Sequence, residues 1–236
     1  MSFNAQSILD ELKPLGGDGY KRILQNHGVT EPCFGVKIEE LKKIQKRIKT
    51  NHQLALDLYD TGNYDARYLA GLIADDAKMS KTDLRRWLKT ASRPTASFIV
   101  STVTAGSPHG QALAREWIDS PKDLTSAAGW ATWSALVSTQ PDERLDLAEL
   151  ETLLHRIART IHDSPNDTRY QMNAFVIATG CFVKALTRTA IEVGKKIGKV
   201  TVDMGNTSCA VPSAPDYIRK VEKRGTIGKK RQSAKC

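Results

Sequence analysis

The sequence predicts an all-α protein, an α-α solenoid of stacked antiparallel helix pairs of about 40 residues each. Three observations carry this prediction. Apolar residues recur at helical spacing, Pro-containing pairs mark helix starts, and three long stretches contain no charged residue. A globular helical bundle is the alternative, because it would show the same helical signals without the stacking of pairs.

Helical periodicity is clearest in residues 38–48 and 147–161. In the first segment Ile38, Leu41, Ile44 and Ile48 lie on one face, while lysines and an arginine occupy the others. Leucine and isoleucine repeat in the same way in the second segment. This spacing is typical of amphipathic helices that bury one stripe.

Prolines divide the chain into helices. Ser107-Pro108, Ser120-Pro121 and Ser164-Pro165 resemble an N-cap followed by the first helical residue, and Arg93-Pro94 opens another helix in the same way. Serine can accept a hydrogen bond from a free amide at a helix start, where proline lacks the N–H that would go unpaired. The marks predict about ten or eleven helices of roughly 10–17 residues.

Three stretches contain no Asp, Glu, Lys or Arg: 94–114, 124–140 and 171–183. They are rich in small residues, which allow close approach of backbones, and helices of this kind are buried on most sides. Charged amphipathic segments lie between them. We therefore expect neutral inner helices alternating with charged outer ones.

The positive charge is concentrated at the end of the chain. The net charge is +9, of which residues 219–236 contribute +7 through eight Lys or Arg against one Glu. Clustered cations gain free energy when they release counterions from a polyanion, so the imbalance favours a nucleic-acid partner. A solvated tail and an anionic membrane surface are the alternatives.

The sequence predicts two regions, a helical repeat domain over 1–200 and a C-terminal extension over 201–236. The extension begins as a loop, with one short strand considered at Val200–Met204. A last helix is predicted from near Pro215 to Gly225, and residues 228–236 are predicted to form a mobile basic end.

The composition favours a cytoplasmic protein with reduced thiols. The N-terminus lacks the pattern of a secretory signal, and no run of about twenty apolar residues predicts a membrane span. Cys33, Cys181, Cys209 and Cys236 are scattered and form no CxxC pair. We expect no metal site, no cofactor and no membrane partner, and a monomeric chain.

The segment QNHGVTEPCFGVKIEELKKIQKRI (25–48) resembles the opening signature of the AlkD-like DNA alkylation repair proteins, and 64–76 and 83–90 resemble their next helix pair. The likeness extends over about residues 17–198. It implies a HEAT-like α-α superhelix (solenoid) whose concave basic face holds duplex DNA. Active members of the family are glycosylases that remove alkylated purines.

The family's catalytic residues do not transfer to this sequence. The resemblance implies two aromatic residues and an aspartate at the start of the helix over 93–103, where the sequence reads Arg-Pro-Thr-Ala-Ser-Phe. It also implies an arginine in 124–138 and a tryptophan in 171–183, and neither is present. An oxocarbenium-like sugar requires a nearby anion. The catalytic residues are therefore left unassigned.

Several residues are candidates for contact with DNA. Arg67 clusters with two tyrosines, with a surface ion pair to Asp65 as the alternative. Arg169 and Tyr170 open a neutral helix, whose free amides would favour a phosphate. Trp130 and Trp133 share one helix face and are candidates for base stacking, although core packing is the more common role. The predicted phosphate contacts are Arg67, Arg169, Tyr170, Lys223, Arg224, Lys229, Lys230 and Arg231.

The sequence thus predicts a DNA-binding helical-repeat protein that holds double-stranded DNA through its phosphates. One alternative is an active alkylpurine DNA glycosylase with relocated catalytic groups, drawn from Trp130, Trp133 or Asp203. The other is a non-enzymatic protein-interaction scaffold, because α-solenoids commonly bind peptides.

Overall fold

A computed structural model describes residues 3–235 and contains thirteen α-helices in that range. The first seven are α1 Ala5–Leu12, α2 Asp18–Asn26, α3 Ile38–Ile48, α4 His52–Asp60, α5 Tyr64–Ile73, α6 Lys81–Lys89 and α7 Ser101–Gly106. The others are α8 Gly110–Ile118, α9 Asp123–Thr139, α10 Leu147–Thr160, α11 Asn166–Phe182, α12 Thr187–Ile197 and α13 Ala214–Lys223. No strand forms within 3–235, so the all-α prediction is confirmed, while the strand considered at 200–204 is wrong.

The chain folds as two compact units. The first contains the described residues up to His109, together with Met204–Ser208 and Lys235. The second contains Gly110–Asp203 and Cys209–Ala234. Most of the C-terminal extension that the sequence separated from the repeat domain therefore lies in the second unit.

The second unit has the predicted alternation of neutral and charged helices. The neutral helices α9 and α11 pack side by side, α8 packs on α9, and the charged helix α10 packs on α12. Helix α9 is buried around most of its circumference. Helix α10 buries only one stripe, which includes Leu150, Leu154 and Ile157.

In the first unit the central helix is α5, which the sequence did not identify as an inner helix. All of its residues are buried, although two of them are charged. Helices α3 and α4 pack against it, as does the π-helical segment Thr95–Val100 that leads into α7. A charged residue can occupy an inner helix only when its charge is compensated locally, and Asp65 and Arg67 both meet this condition, as described below.

The neutral stretch 94–114 is not one helix. It comprises the segment Thr95–Val100, helix α7 and the start of α8. Ser107 follows the end of α7 and does not cap α8, so its predicted role is wrong. Helices α9 and α11 begin at Asp123 and Asn166, close to the other two Ser-Pro pairs. Their N-caps are Lys122 and Pro165, without a side-chain capping hydrogen bond, so the capping role predicted for Ser120 and Ser164 is also wrong.

Helix α13 is held close to α11 and α12 by two glycines. A Cβ atom on Gly180 would lie 2.4 Å from Ile218 Cδ1, and one on Gly194 would lie 2.8 Å from Pro215 Cδ. The absence of both side chains lets α13 bury Ala214 and Ile218 while its other side remains exposed. The predicted last helix is therefore confirmed.

Within the described range no single helix is long and apolar enough to span a membrane. One pair, Asn166–Phe182 with Lys184–Ile197, meets the length and composition criteria together but is bent by 114° at its break.

Candidate nucleic-acid interface

The exposed side of α13 and the residue after it form a strip of positive charge. Its members, the α13 strip, are Arg219, Lys220, Lys223 and Arg224. Because the four residues are one, three or four positions apart, they lie on the side of the helix away from the buried Ile218. Together with Asp216 they line a shallow depression. Within residues 3–235 none of the four forms an ion pair with an acidic side chain. The strip therefore carries uncompensated charge toward solvent.

The chain after α13, residues 225–234, packs onto the second unit, and we call this segment the C-terminal arm. The N–H of Gly228 donates to the carbonyl of Cys181 at 2.9 Å, and the N–H of Arg231 donates to the carbonyl of Ser138 at 2.8 Å. The prediction of a mobile basic end is wrong for this part of the chain, because backbone hydrogen bonds fix it to the ends of α9 and α11.

One cation of the arm, Lys230, is paired within the protein. Lys230 Nζ donates to the carbonyl of Val137 at 2.8 Å and lies 2.7 Å from the Asp142 carboxylate. The charge of Lys230 is therefore compensated within the protein, which disfavours the phosphate contact predicted for it. Lys229 and Arg231 on either side are exposed, and neither forms an ion pair with a described residue.

Lys235 is also neutralised, within the first unit. Its Nζ lies 2.7 Å from Asp76 Oδ1 and donates to the carbonyl of Ala74 at 3.0 Å. Burial raises the pKa of Asp76, and the charge of Lys235 opposes that rise. Of the eight basic residues that the sequence counted at the chain end, six thus remain without an acidic partner in the described structure.

Next to the arm lies a cleft of about 470 Å³, which we call the α11 cleft. Helices α11 and α13 and the arm form it, and the chain before α13 contributes Pro212. Its lining residues are Tyr170, Asn173, Ala174, Ile177, Ala178, Cys181, Phe182, Pro212, Tyr217, Val221, Thr226, Lys229 and Arg231. No Asp or Glu is among these described residues.

The α11 cleft combines aromatic, apolar and cationic groups. Tyr217 is 48% exposed, which is unusual for a large aromatic side chain of the second unit. Asn173 is buried, and its amide donates to the carbonyl of Pro212 at 3.0 Å, so it holds the wall of the cleft. Burial raises the pKa of Cys181 to about 11, which leaves its thiol protonated and unreactive at neutral pH.

Arg169 lies in the first turn of α11, which lines the cleft, but its side chain stabilises the fold. Its guanidinium donates to the carbonyls of Ser164, at 2.8 and 3.2 Å, and Thr201, at 3.0 Å. The first amides of α11 are also occupied, because Asp123 accepts from the N–H groups of Asp167 and Thr168. The predicted phosphate site at this helix start is contradicted, since an acidic side chain already fills it.

Arg67 is buried and cannot reach a phosphate, so that prediction is wrong. Its guanidinium lies 3.1 Å from the Glu31 carboxylate and also donates to the carbonyls of Tyr59 and Thr90. The proposed surface ion pair with Asp65 is equally wrong. Glu31 additionally accepts from the Thr95 hydroxyl at 2.6 Å. Burial opposes its ionisation, but its hydrogen bonds with Ser92 and Thr95 hold the pKa of Glu31 below its usual value.

Asp65 explains the Phe-Gly-Val signature. Its carboxylate accepts from the backbone N–H groups of Phe34, Gly35 and Val36, at 2.6, 3.2 and 2.9 Å. Burial raises the pKa of Asp65, and these three hydrogen bonds counteract the rise. The signature that carried the resemblance is thus a structural element that ties the loop before α3 to α5.

The stacking role considered for Trp130 and Trp133 is contradicted by their burial. Their side chains are 0% and 1% exposed, and the ring of Trp130 packs against Phe175 with centroids 5.4 Å apart. Arg156 lies over Trp130 and Arg115 over Trp133. Both rings belong to the core, with no face open to a base.

The structure therefore keeps Tyr170, Lys223, Arg224, Lys229 and Arg231 of the predicted contacts in accessible or cleft-lining positions. The predicted contacts do not include Tyr217, Arg219 or Lys220, although the two cations were counted in the basic chain end. The signal that would have found them is the helical spacing of α13, which places the cations opposite Ile218. Among residues 3–235 no group of three His, Cys, Asp or Glu side chains is arranged to hold a metal ion.

The chain is similar to known proteins over most of its length. The sequence profile of the family described as DNA alkylation repair enzyme matches residues 8–217. Uncharacterized proteins of Listeria innocua and Listeria monocytogenes are each 36% identical over 221 residues, which cover 91% of this chain and 95% of theirs.

A solved structure superposes with a TM-score of 0.92 at 34% identity, covering 99% of this chain and 100% of that one. It is described as belonging to a new family of proteins related to the HEAT-like repeat DNA glycosylases, with affinity for branched DNA structures. The HEAT-like fold implied by the resemblance is thereby confirmed.

Proposed function

This chain belongs to the DNA alkylation repair enzyme family, and we propose that it binds DNA through backbone phosphates, with a preference for branched DNA over linear duplex. The contact surface is the α13 strip together with Lys229 and Arg231. These residues carry the proposal because they are the six cations of the chain end that have no acidic partner among the described residues.

The chemistry of this surface suits a phosphate backbone. Lys and Arg that neutralise phosphates release condensed counterions, and this gain does not depend on base sequence. A cation already paired with a carboxylate releases fewer counterions from DNA, because the carboxylate compensates its charge before DNA binds. Lys230 and Lys235 are therefore left out of the proposed interface, as are the buried Arg67 and the clamped Arg169.

The preference for branches rests on two supports. The solved protein that is 34% identical over nearly the whole chain has affinity for branched DNA. In addition, the cations lie beside a cleft with an exposed tyrosine, and aromatic groups next to cations are typical of sites for unpaired nucleotides. Linear duplex offers phosphates but no unpaired base, whereas branch points disturb base stacking.

We propose binding, and not base excision, as the activity of this surface. A glycosylase needs an anion beside the sugar of the excised base. The described lining of the α11 cleft contains no carboxylate, and residues 93–103 contain none either. Asp203 is held at its backbone by Asn166 through hydrogen bonds of 2.8 and 3.1 Å and does not line the cleft.

Competition binding tests the proposal. A fluorescein-labelled three-way junction is bound by the full chain, and unlabelled junction or linear duplex of the same base-pair count is added while anisotropy is recorded. We expect the junction to displace the label at lower concentration than the duplex. Equal competition would overturn the branch preference, and an absence of binding would overturn the proposal as a whole.

The matched variant is R219Q/K220Q/K223Q/R224Q, in which glutamine keeps the length and helix propensity of the side chains. It is expected to bind junction and duplex more weakly by similar factors, because it removes phosphate contacts that both DNAs offer. Wild-type affinity in this variant would place the interface elsewhere. The scaffold alternative would be favoured by an absence of DNA binding together with a stable protein complex that survives nuclease treatment.

A further inference from the structure

The α11 cleft has the dimensions and surface of a ligand site. Its volume of about 470 Å³ lies within the range of roughly 300–1,000 Å³ that is typical of small-molecule sites. Ala174, Ile177 and Ala178 follow one another at helical spacing along α11 and supply apolar lining. A flat apolar or aromatic group would be desolvated there without the loss of a buried hydrogen bond.

The aromatic side of the cleft is Tyr217, on α13. At 48% exposure, Tyr217 presents part of its ring to solvent, where a flat ligand can cover it. Nucleobases stack on such rings whatever their identity, because every base has a π-face. Tyr170 lines the same cleft from α11.

The polar side of the cleft is cationic. Lys229 and Arg231 line it, and neither forms an ion pair with an acidic group of the described residues. Since the described lining has no Asp or Glu, an anionic ligand meets no like charge there. A ligand that is flat and apolar at one end and anionic at the other matches both sides, and a nucleotide has this composition.

The walls of the cleft are fixed before any ligand arrives. The arm that carries Lys229 and Arg231 is held by backbone hydrogen bonds to Cys181 and Ser138. Helix α13, which carries Tyr217, is seated on α11 at Gly180. Binding therefore requires no ordering of the arm, which reduces the entropic cost of association.

We propose that the α11 cleft receives one unstacked nucleotide of a branched or single-stranded DNA. The base stacks on Tyr217, and Lys229 and Arg231 contact the adjoining phosphate. This inference rests on the proposed function, because it specifies which part of a branched DNA distinguishes it from duplex. It assigns the branch preference to the cleft and leaves the general phosphate affinity to the α13 strip.

The test compares two DNAs and three variants of the full chain. The DNAs are a fork with an unpaired arm of five thymidines and a blunt duplex of the same paired length. Tyr217→Ala is expected to weaken fork binding by roughly tenfold or more, the loss typical of one stacked base, while duplex affinity changes by less than about twofold. Tyr217→Phe keeps the ring and is expected to stay within about twofold of wild type on both DNAs.

A cleft-filling variant keeps the inference falsifiable if Tyr217→Ala disturbs α13. Ile177→Trp adds volume to the lining and leaves Tyr217 itself unchanged, and it is expected to weaken fork binding selectively. A 2-aminopurine placed in the unpaired arm should change its fluorescence on binding wild type and Tyr217→Phe, but not Tyr217→Ala.

The outcomes separate this inference from the proposed function. If wild type binds both DNAs and neither Tyr217→Ala nor Ile177→Trp lowers the fork-to-duplex ratio, the nucleotide site is overturned while phosphate binding stands. If wild type binds neither DNA, the proposed function fails and the nucleotide site fails with it. Equal weakening on both DNAs would assign Tyr217 to general binding and would overturn the cleft's role in branch preference.

Discussion

Helix α5 in the first unit and α13 with the arm in the second unit use charged residues in opposite ways. In α5, Arg67 pairs with Glu31, and Asp65 accepts three backbone hydrogen bonds. Along α13 and the arm, six cations face solvent without an acidic partner in the described structure. The same residue types hold the fold together in one region and remain available to a ligand in the other.

The difference shows that charge counted along a sequence is not charge available for binding. Arg67 stands next to tyrosines and resembles a phosphate contact in sequence, yet its guanidinium is almost completely enclosed. Lys230 stands between two exposed cations, yet its own charge is compensated by Asp142. Whether a cation is available to a ligand depends on acidic partners that are distant in sequence. Glu31 is 36 residues from Arg67, and Asp142 is 88 residues from Lys230.

Removal of Arg67 is the largest expected effect. Arg67→Ala leaves the Glu31 carboxylate buried without its counter-charge, which should lower the free energy of unfolding by about 3–5 kcal/mol. Urea denaturation followed by circular dichroism measures the change. Arg188→Ala is the matched control, because its pair with Glu192 is exposed and should contribute less than about 0.5 kcal/mol.

Equal losses of stability in these two variants would contradict the distinction between enclosed and exposed cations. For Arg67→Ala, the DNA affinity of the folded protein should be unchanged, since the residue does not belong to the proposed interface. A variant that stays folded but binds DNA much more weakly would place α5 in the interface after all.

A smaller effect is expected at Lys49, an exposed cation of the first unit. It ends α3 with φ 62° and ψ −142°, a conformation that favours glycine. Gly198 ends α12 with almost the same angles, φ 61° and ψ −139°. Lys49→Gly should therefore raise the free energy of unfolding by about 0.5–1 kcal/mol, because it relieves backbone strain and removes no packed side chain.

Lys46→Gly, which lies within the last turn of α3, is the control and should lower the free energy of unfolding by about 1 kcal/mol. The two variants remove equal charge, so opposite signs would show that backbone conformation decides the outcome. A destabilising Lys49→Gly would mean that the lysine side chain makes a stabilising contribution that exceeds the strain.

The sequence predicted well what periodicity and composition determine. The neutral segments became α9 and α11 because an uncharged helix can be buried from several sides, and the last helix was located from Pro215 and Gly225. Helix α5 was missed as an inner helix because its charges are compensated by Glu31 and by amides of residues 34–36, which sequence spacing does not connect. The candidate site was only partly predictable for the same reason.

The C-terminal arm is the clearest case in which sequence composition did not predict the structure. A run of Gly, Lys and Arg at the chain end has the composition of a mobile tail. Its order comes from two backbone hydrogen bonds to Cys181 and Ser138, and backbone partners leave no trace in side-chain composition. The cleft beside the arm could not be anticipated, because it exists only where the arm, α11 and α13 meet.

The most direct test is the salt dependence of duplex binding by wild type and two charge-matched variants. One is R219Q/K220Q/K223Q/R224Q on the α13 strip, and the other is K37Q/K42Q/K46Q/K49Q on exposed positions of and beside α3. On a plot of log K against log salt concentration, the first variant should lose about 3–4 in slope, since each lost phosphate contact removes about 0.9. The second should keep the wild-type slope to within about one contact. Equal slopes in the two variants, or an unchanged slope in the first, would contradict the claim that the unpaired cations of α13 hold the DNA.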